Sequence, residues 1–215
     1  MIDYTRRGVV LAGASFAAGL AFPRFAFAQG ADVLSEALVL RDPDIPAAGN
    51  AKGDVTIVEF SDYQCPYCRQ VHPVLRKIAQ EDGNIRLVFK IWPVFGAESV
   101  YAGQMALAAR EQKKFSEAHE ALMGIKTRLS ETLTESTLRE AGIDVPRARQ
   151  HLDKDIKKIG AVLTRNHQQA AGLGFQGTPS FIIGKFRVPG VLQEDMFRAA
   201  VADARTMLKG QKKKK

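Results

Sequence analysis

The sequence predicts an α/β fold, a small mixed sheet with helices covering its faces and a helical bundle inserted into it. Three observations lead there. Two β-branched runs, residues 55–60 and 85–91, flank a helical pattern and so make a βαβ unit, parallel and right-handed. The stretch from 98 to 173 is helical in pattern almost throughout. Two short strands and an amphipathic helix over 193–208 then close the chain.

The N-terminal 28 residues read as a signal peptide. Arg6-Arg7 precede an uncharged apolar run over 9–22, and Ala26-Phe27-Ala28 is a small-residue cleavage pattern, with cleavage expected after Ala28. The run falls short of the ~20 residues a spanning helix needs. Thr5-Arg6-Arg7-Gly8-Val9 is similar to a twin-arginine export signal, but Val9 stands where that pattern has Phe or Leu, and a plain basic n-region fits as well. Export implies an oxidising compartment.

Charge is read after setting this segment aside. The formal net charge is +8, and residues 1–28 hold three Arg and one Asp. The remainder carries about +6, four of it in Lys212, Lys213, Lys214 and Lys215. Residues 209–215 are therefore expected to be a basic disordered tail, and the folded part lacks the basic face that nucleic acid would require.

Residues 29–53 form a turn-rich lead-in, with a short helix or edge strand over 33–40. It is too short for a coiled-coil stalk, so no firm oligomer is predicted. The domain proper spans 54–208. A strand over 55–60 is followed by a helix over 66–81, ended by Asp82-Gly83-Asn84, and by a strand over 85–91. The helical insertion occupies about 96–173. Strands over 181–183 and 186–188 are joined by a tight turn at Gly184-Lys185.

The chain has only two cysteines, Cys65 and Cys68. A disulfide scaffold would have more, widely spaced, and a structural zinc site would need two further ligands. Redox chemistry or coincidence remains. A Cys-x-x-Cys that follows a strand and opens a helix is the redox form of the motif. Free N–H groups and the dipole at a helix start favour a thiolate on Cys65, which makes it the expected nucleophile. Pro66 suits the first helical position, where its missing N–H would be unpaired anyway. Cys68, one turn further in, is the expected resolving thiol. His72 lies on the same helix face as Cys68, but with no fourth ligand it reads as a packing or hydrogen-bonding residue, and no metal is expected. His119, His151 and His167 carry no spacing signal. Tyr67 reads as tuning the cysteine pair rather than acting as an acid or base.

The stretch Glu59-Phe60-Ser61-Asp62-Tyr63-Gln64-Cys65-Pro66-Tyr67-Cys68 resembles the DsbA-like thiol–disulfide oxidoreductases of the bacterial cell envelope. So do the loop Gly177-Thr178-Pro179-Ser180-Phe181 and the helical insertion before it. The similarity runs from about 40 to 208. It implies a thioredoxin-like fold with the bundle between the second strand and a cis-proline loop, and a periplasmic location. It implies a cis bond before Pro179, with Thr178 free to pair with an extended substrate segment. It also implies that Glu59 is a buried acid that relays a proton for Cys68; a solvent-facing strand-end Glu is the alternative.

The function this implies is a periplasmic interchange protein that forms or exchanges disulfides without a cofactor. Its partners would be unfolded or partly folded exported proteins with cysteines, and a membrane redox partner. Tyr67 and Thr178 look more like residues of the isomerase-side relatives, so isomerase or reductase stays open. Two other classes are a soft-metal protein that binds copper through the two thiols, and an envelope protein in which the pair is only a fixed bond.

Overall fold

The computed structural model describes residues 32–212. The expected signal peptide at 1–28 and the last three residues of the expected tail lie outside the described residues. The elements are α1 (Glu36–Leu40), β1 (Ala47–Gly49), β2 (Val55–Ser61), α2 (Pro66–Asp82), β3 (Ile85–Ile91), α3 (Ala97–Ala108), α4 (Phe115–Met123), α5 (Glu131–Glu140), α6 (Val145–Gly172), β4 (Ser180–Ile183), β5 (Phe186–Pro189) and α7 (Glu194–Lys212), with a 3-10 turn over Ala109–Gln112.

The strands form one mixed sheet in the order β1-β3-β2-β4-β5. β2 and β3 run parallel, in register from Val55 opposite Ile85 to Ser61 opposite Ile91. Every residue of both is buried, which is why they read as continuous apolar runs rather than alternating ones. β4 lies antiparallel to β2, with Glu59 opposite Phe181 and Phe60 opposite Ser180. That pairing brings the loop before β4 to the end of β2. Gly184, in the β4–β5 turn, has φ +59°, and a Cβ there would lie 2.9 Å from the Ala204 Cβ of α7. A residue with a side chain would be both strained and crowded at this position.

Two expectations need correction. The lead-in supplies a strand, β1, antiparallel to β3 with Ala48 opposite Leu87. It lacks β-branched residues, and pairing with the edge of β3 holds it extended. The other concerns residues 209–212, expected to belong to a disordered tail: α7 continues through Lys212. Its sequence past Leu208 contains strong helix formers that extend an already nucleated helix.

The lead-in is tied down by a buried ion cluster. Lys90 on β3 and Asp42 are both fully covered, with Nζ 3.4 Å from Oδ2. Asp42 also accepts two bonds from Arg165 of α6, at 2.8 and 2.9 Å.

Candidate active site

The chain leaves β2 at Ser61 and turns into α2, where Cys65 is the cap residue and Pro66 the first helical residue. Asp62 locks this turn. Its buried carboxylate accepts N–H bonds from Gln64 (2.7 Å), Val94 (2.6 Å) and Phe95 (3.1 Å), and the hydroxyl of Ser99 donates to it at 2.8 Å. The Gln64 side chain extends the lock, accepting from the Leu129 N–H and donating to the Phe95 carbonyl. The loop is thus fixed to the start of the helical insertion before any thiol chemistry occurs. The motif displays Asp62 and Gln64, but three of the four partners of Asp62 arrive from residues more than thirty positions away.

Both thiols are free and almost covered, Cys65 at 1% and Cys68 at 0% exposure. Pro66 and Tyr67 face outward, Tyr67 at 59%. The Thr178–Pro179 bond is cis. The Cys65 thiol donates to the Thr178 carbonyl at 3.3 Å, so the loop expected beside the pair touches it. The two sulfurs differ in electrostatics rather than exposure. A hydrogen bond from the Cys68 thiol, with the nearby Thr178 hydroxyl and the backbone N–H groups of Cys68 and Tyr67, outweighs burial and lowers Cys65 to about 6. Burial above all, then the same bond to Cys65 and the nearby Glu59, pushes Cys68 far above the usual thiol range.

Glu59 is wholly buried on β2, so the solvent-facing alternative does not hold. Neither of its oxygens has a hydrogen-bond partner among the described residues. Burial, with the Cys65 and Glu120 charges, raises it to about 8, so it is protonated at neutral pH.

Two histidines that sequence reasoning kept apart meet at Glu59. One donor-type atom each from Glu59, His72 and His119 lies within 4.8 Å of the others. The outer nitrogens are engaged: His72 Nε2 with Glu120 Oε2 at 2.8 Å, His119 Nδ1 with the Tyr63 hydroxyl at 2.9 Å. His72 Nδ1 and His119 Nε2 are left for the cluster. Three donors at this spacing also resemble a metal site, but a carboxyl held protonated by burial resists the deprotonation an ion demands. The group is suited to moving protons. Only the placement of His72 one turn past Cys68 hinted at it in the sequence.

A family model described as DSBA-like thioredoxin domain matches residues 56–202. Among solved structures, a thioredoxin-like oxidoreductase from Silicibacter pomeroyi DSS-3 is 37% identical, with TM-score 0.76 over 80% of this chain and 98% of that one. A periplasmic thioredoxin-like protein from Salmonella enterica serovar Typhimurium is 30% identical, with TM-score 0.70 over 79% and 95%. The thiol-disulfide exchange protein alpha-DsbA2 from Wolbachia pipientis is 26% identical, with TM-score 0.72 over 76% and 89%. The curated relatives are longer. Two proteins named Na(+)/H(+) antiporter NhaA, from Salinispora arenicola (strain CNS-205) and Salinispora tropica (strain ATCC BAA-916 / DSM 44818 / JCM 13857 / NBRC 105044 / CNB-440), are each 30% identical. They match over 76% and 94% of this chain, which spans 25% and 33% of their lengths. No helix among the described residues is long and apolar enough to cross a membrane.

Proposed function

The chain belongs to the DSBA-like thioredoxin domain family, and from that premise we propose that it is a periplasmic thiol–disulfide oxidoreductase that oxidises cysteine pairs in unfolded or partly folded exported proteins. The observation that carries this reading is the placement of Cys65 as the cap of α2 in contact with the cis-proline loop at Thr178, with Cys68 wholly buried one turn further in; these surroundings pull the thiols apart, Cys65 down to about 6 and Cys68 up. A stabilised Cys65 thiolate stabilises the dithiol form, and that makes the disulfide form the better oxidant. It also makes Cys65 the better leaving group when a mixed disulfide resolves.

In the reaction a substrate thiolate attacks Cys65 Sγ of the Cys65–Cys68 disulfide. The S–S bond breaks and Cys68 leaves as a thiolate, which takes a proton at once because its acidity is so low. The second substrate thiolate then attacks the substrate sulfur of the mixed disulfide and expels the Cys65 thiolate. The substrate gains a disulfide and loses two electrons, which the cysteine pair accepts. Thr178, whose carbonyl accepts from the Cys65 thiol, would pair with the substrate segment that carries the attacked cysteine. A membrane redox partner would reoxidise the pair.

The test is oxidation of a reduced model protein by the preformed disulfide. Wild type is expected to transfer its disulfide stoichiometrically. Cys65→Ala should do nothing, and a Cys68→Ala variant, offered a protein that already carries a disulfide, should accumulate a mixed disulfide through Cys65 as the Cys65 thiolate attacks that bond and expels the other substrate thiolate. A wild-type protein that fails to oxidise the substrate, or a Cys65→Ala variant that succeeds, overturns the reading. A pair that is more reducing than glutathione and resolves scrambled disulfides would turn it towards isomerase or reductase.

A further inference from the structure

We propose that His72 and Glu120 form a proton exit for the active site, linking Glu59 beneath Cys68 to the open hollow between α2 and α4. The inference rests on the oxidoreductase reading, because the proton it carries is the one Cys68 gains or loses in each half-reaction.

The geometry runs in one direction. Glu59 has no partner in the core except the two inner ring nitrogens. His119 is a dead end: it is fully buried, flanked by Phe89 and Phe115, and its far nitrogen meets Tyr63, itself 1% exposed. His72 is different. Its far nitrogen meets Glu120, whose side chain is 40% exposed. Glu120 also takes a 2.7 Å bond from Arg76. His72 and Glu120 both line an open cavity of about 430 Å³, together with Arg69, Arg76, Lys77 and Lys126.

The protonation states fit the path. Glu120 is held ionised by its bond to His72 and by Arg76, despite partial burial. An ionised carboxylate only accepts, so the hydrogen of this bond is on His72 Nε2, and Nδ1 is left facing the cluster. The groups facing His72 are Glu59 from β2, His119 and Glu120 from α4 and Arg76 from its own helix, with Phe89 of β3 against its ring. Burial, His72 and Arg76 hold His119 well below the usual range, so it stays neutral and does not compete for the proton.

The outward transfer balances. Glu59 gives its carboxyl proton to His72 Nδ1, the Nε2 proton passes to Glu120, and Glu120 releases it to water. Glu59, now a carboxylate, can take the thiol proton of Cys68 as Cys68 attacks a mixed disulfide. The inward half is the reverse: Glu120 takes a proton from water and passes it to Nε2, and Nδ1–H returns one to Glu59. The ring thus alternates tautomers, one proton out and one in per cycle. Separations of up to 4.8 Å at the inner end are closed by a side-chain rotation or one bridging water.

The readout is single-turnover oxidation of the reduced Cys65–Cys68 pair by glutathione disulfide between pH 5 and 9, in which Cys68 must give up its proton to attack the Cys65 mixed disulfide, with its solvent isotope effect. His72→Ala and Glu120→Gln are expected to slow the step about tenfold or more at neutral pH, as loss of a positioned proton-transfer group does. Both should enlarge the isotope effect and shift the pH profile. Imidazole should reach the space opened by His72→Ala and restore most of the rate. His72→Gln, which fills that space without passing protons, should stay slow with or without imidazole. Wild-type rates and pH profiles in Glu120→Gln and His72→Gln, or a slow His72→Ala that imidazole does not rescue and whose pH profile is unmoved, overturn the relay. If the wild type exchanges disulfides normally while the variants match it, only the relay fails. If the wild type exchanges none, the parent reading fails and the relay with it.

Discussion

Replacing Glu59 by Gln should stabilise the reduced protein at neutral pH and not in acid. The carboxyl is 0% exposed, and its folded value is about 8 against an ordinary 4.5. A folded value above the unfolded one means that the native state holds a proton the unfolded chain has released. Below pH 4.5 both states are protonated and the acid costs nothing by this route. Between pH 4.5 and 8 the native state is penalised progressively, and above 8 the penalty levels off. At 1.36 kcal/mol per pH unit, the 2.5 units between 4.5 and 7 amount to about 3 kcal/mol. Glu59→Gln removes the titration while keeping the shape, so its stability relative to wild type should rise by about that much from pH 4 to pH 7. Urea unfolding of both proteins in reductant at pH 4, 5, 6, 7 and 8 measures it. Cys65 titrates in both, so its contribution largely cancels in the difference. Parallel curves across this range would refute the placement of an unpaired carboxyl under the thiols.

Ultraviolet titration of the reduced protein should find the Cys65 thiolate with a midpoint near 6, so that about 90% is ionised at pH 7 against about 1% for an ordinary thiol. Cys68→Ala removes the leading cause and should move the midpoint upward. Thr178→Val should do so by about one unit, the size of a hydrogen bond to a charged group; an unmoved midpoint in both would contradict the assigned causes. In the lead-in, Asp42→Ala should cost about 3–5 kcal/mol in urea unfolding, because it leaves the buried Lys90 without its carboxylate and takes two bonds from Arg165, which keeps only Asp44. Lys90→Met should be neutral or stabilising, since Asp42 keeps both Arg165 bonds and Lys90, lowered to about 8 by burial, is held charged at a cost. Equal losses in the two variants would count against that asymmetry.

How much of this could be read in advance depends on chain separation. The helix from Pro66, its end at Gly83 and the strands beside it follow from apolar spacing and turn residues within short windows. The cysteine pair is legible for the same reason. Thr178, 113 positions from Cys65, could be brought to the site only through family resemblance. Nothing local marks β1, since Ala47-Ala48-Gly49 has no strand preference and is extended only because β3 offers it an edge. His72 and Glu120, 48 positions apart, meet because α2 and α4 both pack on Phe89 of β3, through His72 and His119, a packing that one sequence does not encode in any window. His119, which carried no spacing signal, is drawn to the site by the same packing.

The two thiols make opposite demands, and one helix end cannot meet both. A helix start favours negative charge on any thiol beside it, so by itself it would lower Cys65 and Cys68 alike. The difference comes from what lies beneath. The bond between the sulfurs enters with opposite signs, lowering Cys65 and raising Cys68, and it lowers Cys65 only while Cys68 keeps its proton. Burial of Cys68 and the nearby Glu59 keep it there. The reactive thiolate of Cys65 is therefore sustained by the proton held on Cys68, and the step from resting to resolving state is the removal of that proton. Three segments far apart in the chain impose this: β2 with Glu59, the start of α2, and the loop of Thr178. The β2–β4 pairing of Glu59 with Phe181 ties the first and third together, so the register of the sheet sets the electrostatics of the sulfurs.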